Sequence, residues 1–200
     1  MSEHYYSKKP TSESNPKTWH YKLRGFDFSF TTDHGVFSRN EVDFGSRTLI
    51  EGFTEPAVAG GFLDLGCGYG PIGLSLAKSF PHRHITMSDI NERAIDLARQ
   101  NAINNQVENV EFKISDRLQS FQNETFSAIV TNPPIRAGKK VIFDMFEESC
   151  QALLPQGELT VVIQKKQGAP SAQKKLEQLF GNVEVLTKNK GYYLLKSTKQ

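Results

Sequence analysis

Two textures of hydrophobic and polar residues run along the chain. Near its start the apolar positions alternate. His20-Tyr21-Lys22-Leu23-Arg24 and Phe26-Asp27-Phe28-Ser29-Phe30 flank Arg24-Gly25, a pattern that predicts a β-hairpin. Asp33-His34-Gly35-Val36-Phe37-Ser38 breaks the alternation and reads as a loop. Asp43 can cap a helix running to about Phe53, with Leu49 and Ile50 inward. From Gly60 the texture changes to short apolar runs alternating with segments of helical period. Strands are predicted over Phe62–Leu65, His84–Ser88, Val110–Ile114, Phe126–Thr131 and Glu158–Ile163. Helices are predicted over Pro71–Phe80, Asn91–Asn104, Lys139–Leu154 and Ser171–Phe180. Pro71 suits a first helical turn, and Ala94, Ile95, Leu97 and Ala98 stand at core spacing. Pro155-Gln156-Gly157 reads as a turn. Val183–Leu186 and Tyr192–Lys196 enclose Asn189-Lys190-Gly191 as a closing hairpin.

Alternating strands and helices imply an α/β fold, Rossmann-like and doubly wound, with a mostly parallel seven-stranded sheet covered on both faces. The C-terminal hairpin supplies an antiparallel edge strand, and the first hairpin is an N-terminal extension. With 200 residues one domain is expected over 17–200. Hairpin and helix occupy 17–55 and the catalytic core 56–200, after a loose or disordered stretch 1–16.

Composition narrows the function classes. At 38% hydrophobic and 23% charged, the chain is an ordinary globular one, and no apolar run approaches the roughly 18 residues of a membrane span. The polar start, Met1 to Pro16, offers no signal peptide, so a cytoplasmic protein without a membrane partner is expected. Cys67 and Cys150 stand in no metal-ligand spacing, and no metal is expected. A net charge of +2 does not advertise nucleic acid, so any RNA site must come from local clusters. Lys8, Lys9, Lys17, Lys22 and Arg24 form one; Arg136, Lys139 and Lys140 a second; Lys165, Lys166, Lys174 and Lys175 a third.

Candidate chemistry sits at two places in fixed order. The first is Asp64-Leu65-Gly66-Cys67-Gly68-Tyr69-Gly70, a glycine turn leaving a buried strand. Glycine admits positive φ and lets backbone approach a ligand. Gly68-x-Gly70-x-x-Gly73, with Asp89 about 20 residues on, matches the dinucleotide fingerprint as well. Asp64 tilts the reading away from a nicotinamide, because a carboxylate before the turn suits a cationic amino group. Asp89 stands where an acid binds ribose hydroxyls. Asp116, just past the third core strand, either accepts a bond from an adenine amine or is a turn residue.

The second place is Asn132-Pro133-Pro134-Ile135, directly after the apolar strand Phe126–Thr131. Proline fixes φ and has no N–H, so this corner is stiff and its carbonyls are not consumed by a helix or ladder. The Asn132 side-chain oxygen and the Pro133 carbonyl can both accept from one –NH₂ group, which turns the nitrogen lone pair out of its conjugated plane. Hydride transfer has no need of such a bracket; methyl transfer from S-adenosylmethionine to nitrogen does. Arg136, Lys139 and Lys140 follow where phosphates flanking a flipped nucleotide would lie.

With these residues the chain resembles class I S-adenosylmethionine-dependent methyltransferases. More narrowly, it resembles the small methyltransferase (MTS) group of RsmC-type ribosomal small-subunit guanine-N2 methyltransferases. The likeness runs from about Phe37 to Tyr193. It includes Val36-Phe37-Ser38, Asp43-Phe44-Gly45-Ser46, the glycine turn through Gly73, Ser88-Asp89-Ile90-Asn91 and Asn132-Pro133-Pro134. The resemblance implies that Asp64, Gly66, Cys67, Gly68 and Gly70 hold the methionine part of the cofactor. Asp89 and Ile90 would hold the ribose region and Asp116 the adenine edge. Asn132, Pro133, Pro134 and Ile135 would hold the target amine, Asn132 also bordering the cofactor. Phe37, Arg136, Lys139 and Lys140 would meet RNA. The implied partner is ribosomal RNA or the small ribosomal subunit, and the protein would be a monomer or weak homodimer. The other reading is methylation of a glutamine amide in a translation factor. Ile135 stands where many relatives carry an aromatic, so a stacking ring would come from Phe37, Tyr69 or Trp19. The chain also shows no counterpart of the extra N-terminal domain of longer relatives, which puts recognition on one domain and its hairpin.

Overall fold

The computed structural model of the protein describes residues 13–200. Of the stretch read as loose, residues 1–12 lie outside the described residues. Further on, the Ser14 hydroxyl and the Asn15 amide donate to the two oxygens of Asp33, at 2.8 and 2.6 Å.

The first hairpin joins β1 (Lys17–Leu23) to β2 (Phe26–Thr32) in an antiparallel pair. Arg24 and Gly25 have φ of +48° and +81°. That two-residue turn of positive φ follows the right-handed twist of the strands. Helix α1 (Phe44–Gly52) is capped by Asp43, whose carboxylate accepts from the Ser46 amide at 3.0 Å.

The main sheet follows in βα steps. In chain order it comprises β3 (Phe62–Leu65), α2 (Pro71–Ser79), β4 (Ile85–Asp89), α3 (Glu92–Asn104) and β5 (Val110–Ile114). Then come β6 (Phe126–Thr131), α4 (Lys139–Ala152), β7 (Leu153–Gln164), α5 (Ala169–Phe180), β8 (Glu184–Asn189) and β9 (Tyr192–Thr198). The strand order is β5-β4-β3-β6-β7-β9-β8, with the first four pairings parallel. The chain therefore winds outward from β3 in one direction and from β6 in the other. The carboxyl ends of β3 and β6 border the crevice where ligands of doubly wound sheets sit.

Both faces of the sheet are covered. On one, Leu74, Ile95 and Ala98 of the helices pack with Phe28, Phe30, Leu49 and Ile50, so the hairpin and α1 complete that layer. On the other, Ile142, Met145 and Phe146 join Ala172 and Leu176. The hairpin is fixed by Asn101 of α3 and by Asn105, the cap that follows that helix. Asn105 exchanges hydrogen bonds with both backbone groups of Ser29, each 2.8 Å. Asn101 does the same with Thr31, at 2.7 and 2.9 Å, and also donates to the Tyr69 carbonyl at 2.9 Å. A primary amide can satisfy the open edge of a strand as a neighbouring strand would. Hydrophobic period does not reveal this, since both asparagines lie on the buried face.

Two details differ from the sequence reading. Helix α4 ends at Ala152, and β7 starts at Leu153, paired with Phe126. Pro155 disfavours helical geometry in the residue before it, and buried Leu153 gains more from the sheet. What read as a turn is a bulge in one strand, with Gln156 at φ +63° and its amide donating to Lys199 at 2.8 Å. The closing hairpin supplies the antiparallel pairing at the sheet's end as expected, β9 pairing antiparallel with both β7 and β8, and β8 forming the edge. No helix among the described residues is long and apolar enough to cross a membrane.

Candidate functional site

A cleft of about 800 Å³ opens at the carboxyl ends of β3, β4, β5 and β6. Its floor is the turn after β3. Gly66 and Cys67 both donate to the Ser88 carbonyl of β4, at 2.8 and 2.9 Å, which ties the turn to its neighbour strand. Gly66 and Gly68 have φ of +78° and +57°, and a Cβ on either would meet nothing within 4 Å. Their bare backbone therefore faces open space. Gly70 and Gly73 serve otherwise. A Cβ at Gly70 would stand 2.9 Å from Met87 Cε, and one at Gly73 2.8 Å from Met87 Cγ. These two glycines let α2 lie close on β4, and Gly70 is not part of the cleft wall.

The three sequence-predicted acids separate by depth. Asp89, at the end of β4, lines the cleft. Its carboxylate accepts from the amides of Gly68 and Asn91, both at 2.9 Å. Burial raises its pKa, opposed by the backbone donors of Asn91, Gly68 and Ile90. Asp116 also lines the cleft, half-exposed, 3.3 Å from Arg117. Asp64 is fully buried and off the wall. One oxygen accepts from the Gly73 amide at 2.8 Å, while the other has no hydrogen-bond partner among the described residues. Burial raises its pKa to about 7; the Gly73 bond opposes this and the Asp89 charge adds to it. Cys67 lines the cleft, but burial, then Asp64 and Asp89, push its thiol well above the ordinary range. It is a packing group of the turn, not a thiolate nucleophile.

Across the switch point stands the Asn132 corner. The Thr131 hydroxyl donates to the Leu65 carbonyl at 2.8 Å, beyond the last paired residues of β3 and β6. This buried bond staples the corner to the glycine turn. Asn132 Nδ2 donates to Asp43 Oδ1 and to Ser46 Oγ, both at 3.1 Å. A carboxylate can only accept, so the amide nitrogen must face Asp43 and the Asn132 oxygen the other way. The Pro134 carbonyl accepts from Ala137 at 2.9 Å, starting a single helical turn over Ile135–Ala137. The arrangement offers acceptors, held rigidly, beside a glycine-lined hollow.

The cleft gathers most of the expected residues: Phe37, Gly66, Cys67, Gly68, Asp89, Ile90, Asp116 and the run Asn132 to Arg136 all line it. Lys139 and Lys140 do not. Lys139 borders a smaller hollow of about 100 Å³ next door, its Nζ 5.1 Å from the Phe143 ring centre, and Lys140 is exposed. Of the three aromatics considered for stacking, Trp19 packs in the hairpin core and is absent from the wall, and Tyr69 is buried with its ring against Trp19 and Phe30. Phe37 is 46% exposed at the cleft mouth. Tyr192, at the start of β9, lines the wall too, its ring 5.6 Å from Phe44. Sequence reasoning missed Tyr192, and it gave Asp43 and Ser46 a cap and a place in the resemblance but no place in the cleft. The capping signal of Asp43 was readable; its second partner, 89 residues away, was not. No group of three or more His, Cys, Asp or Glu among the described residues could hold a metal ion.

Residues 27–196 match the family described as methyltransferase small domain. Over all 200 residues, and the whole length of both chains, the sequence is 58% identical to a Bacillus subtilis (strain 168) protein named "Uncharacterized protein YbxB". It is 32% identical over 193 residues to ribosomal RNA large subunit methyltransferase G of Psychromonas ingrahamii, covering 91% of this chain and 48% of that one. The chain thus spans about half the length of the curated ribosomal RNA methyltransferases it matches. Among solved structures, the T. thermophilus 16S rRNA N2 G1207 methyltransferase (RsmC), in complex with AdoMet and guanosine, superposes with a TM-score of 0.82 at 24% identity. That match covers 92% of this chain and 51% of the other.

Proposed function

The chain belongs to the methyltransferase small domain family of class I S-adenosylmethionine-dependent methyltransferases, and on that premise we propose that it methylates the exocyclic N2 amine of a guanine in small-subunit (16S) ribosomal RNA. The observation that carries this reading is the way Asn132 is held. Its amide hydrogens are engaged by Asp43 and Ser46, which leaves its oxygen to act as an acceptor in the residue before Pro133.

The residues present fit the cofactor. A cleft of about 800 Å³ takes it together with a nucleoside. Gly66 and Gly68 would hold the methionine part on bare backbone, a Cβ at either intruding on the space it needs, with Cys67 between them lining the same turn. Asp89 would accept from the ribose hydroxyls, Ile90 would pack beside them, and Asp116 would accept from the adenine amine. Asp64 shapes this turn from beneath through Gly73 rather than by touching the ligand. The bound cofactor supplies an electrophilic methyl on a sulfonium.

The chain's part is positioning. In free guanine the amine lone pair is delocalised into the ring. Asn132 Oδ1 and the Pro133 carbonyl would accept the two N–H bonds and rotate the lone pair out of that plane. So aimed, the amine would take the methyl that the bound cofactor supplies, a nitrogen–carbon bond forming as the carbon–sulfur bond breaks. The methylated, positively charged amine is a strong acid and gives its proton to water in the open cleft, so no dedicated base is required. Orientation and fixed dipoles carry the rate. Phe37 and Tyr192 offer rings for the extruded base, with Ile135 contributing dispersion on the corner itself. The ribosomal RNA activity named for the relatives supports the substrate class.

The test is methylation by purified protein and labelled cofactor of small-subunit particles and RNA from cells lacking the gene, followed by nucleoside mass spectrometry. N2-methylguanosine in small-subunit RNA is expected. Label in large-subunit RNA alone would move the target, and label on protein would favour the glutamine amide instead.

A further inference from the structure

Charge is spread unevenly along the carboxyl edge of the sheet. On the side of β3, β4 and β5 the wall carries Asp89, and Asp116 paired with Arg117. Beyond β6 lysines gather. Lys139 and Lys140 open α4, Lys165 and Lys166 form the turn that ends β7, and Lys190 sits in the β8–β9 turn. Because β8 runs parallel to β7, that last turn lies at the same edge; the Lys165 amide donates to the Gly191 carbonyl at 2.7 Å. All five lysines are exposed. Lysine ion pairs among the described residues involve Lys22, Lys113, Lys175 and Lys196, and none of the five. Between α4 and the β7 turn lies the small hollow, walled by Ile135, Ile142, Phe143 and Ile163. Ile135 and Gln167 line both this hollow and the main cleft, so the two lie side by side.

From this adjacency and the gathered lysines we infer that the RNA strand leaves the target base across the β6–β7–β9–β8 half of the edge. The edge of a flanking base rests against the Ile135–Phe143 hollow, and successive phosphates meet Lys139 and Lys140, then Lys165 and Lys166, then Lys190. The inference rests on the reading that the cleft modifies RNA and adds the strand's path. Cations carried by three separate elements suit an extended polyanion better than one compact anion. An overall charge of only +2 makes their gathering at one edge the relevant quantity. A hollow of about 100 Å³ admits the edge of a base but does not engulf one, so the contact is tolerant of sequence.

The test is binding of a small-subunit RNA fragment as a function of salt, for the wild type and for the triple variant Lys165→Gln, Lys166→Gln, Lys190→Asn. Asparagine suits the positive φ of position 190, and calorimetry with S-adenosylmethionine reports that the cleft is intact. The expected result is a log–log salt slope shallower by about 2, at roughly 0.7 per lost single-strand phosphate contact, with cofactor affinity unchanged. A control on the first hairpin, Lys22→Ser, is expected to keep the wild-type slope. If the wild type binds RNA steeply and the triple variant keeps that slope, the path is wrong and the RNA reading stands. If the wild type binds RNA with no salt slope at all, both fail. Loss of binding to an acidic peptide, with RNA binding unmoved, would assign the lysines to a protein partner and overturn the path.

Discussion

The two halves of the cleft are built on different principles. The half that faces the cofactor is made of backbone. Its geometry comes from glycines at positive φ, amides tied to Ser88, and a carboxylate buried beneath the turn. The half proposed to face the amine is made of side chains brought from far apart, with Asp43 and Ser46 of the α1 cap reaching Asn132 after β6. One half is specified locally and fails by local strain. The other is specified by tertiary contact and fails by misorientation, with the fold intact.

Substitutions can separate the two modes. The largest effect is expected for Asn132→Ala. Removing a preorganised group of this kind costs about 10²–10³ in turnover. Cofactor affinity, read by calorimetry, should stay near wild type; an unchanged rate would remove Asn132 from the chemistry. Asp43→Ala comes next. It frees the Asn132 amide and uncaps α1, so turnover should fall about 10–100-fold, the worth of a hydrogen bond to a charged group. Stability should fall by about 1 kcal/mol. Asp43→Asn keeps an acceptor for Ser46 and Asn132, so it should restore the melting temperature and most of the rate. If both variants behave alike, Asp43 acts through the helix alone.

On the backbone half, Gly68→Ala and Gly73→Ala should part company. A Cβ at Gly68 enters open cleft, so cofactor affinity should drop more than stability. At Gly73 it strikes Met87 within 2.8 Å, so the melting temperature should drop more than affinity. Equal losses of both quantities in both variants would contradict the division of roles. A separate effect, on stability alone, concerns pH. Asp64 titrates near 7 when folded and near an ordinary aspartate, about 3.9, when unfolded. Between these values the folded state holds a proton that the unfolded state has released. Stability from this group therefore falls as pH rises across that window and levels off above it. Asp64→Asn should remove that slope, so its melting temperature should gain on the wild type from about pH 4 to 7 and run parallel beyond. Parallel curves throughout would show that Asp64 is not proton-linked to folding.

The same division explains what the sequence could reveal. The strand–helix alternation, the glycine turn and the stiff Asn-Pro-Pro corner are local patterns, and each stands where its pattern put it. The start of β7 at Leu153 was hidden, because partnership with Phe126 outweighs the helical period of the residues before it. The roles of Asn101 and Asn105 were hidden too, since polar residues on a buried helix face gain meaning only from the β2 edge they complete. Gly70 and Asp64 sit inside the motif, yet neither reaches the cleft wall. A motif reports that a turn is built, while only the fold tells which of its residues face the ligand. Tyr192 lies 60 residues beyond Asn132 in the chain and reaches the site only because β9 inserts next to β7.

The claim at the centre is that Asn132 Oδ1 and the Pro133 carbonyl aim an amine at the cofactor's sulfur. A crystal structure of the protein with S-adenosylhomocysteine and guanosine tests it directly. The predicted result is guanosine N2 within about 3 Å of both oxygens, with the sulfur on the open side of the base and nothing between them. A sulfur facing away from the corner, or an N2 bonded elsewhere in the cleft, would contradict the account.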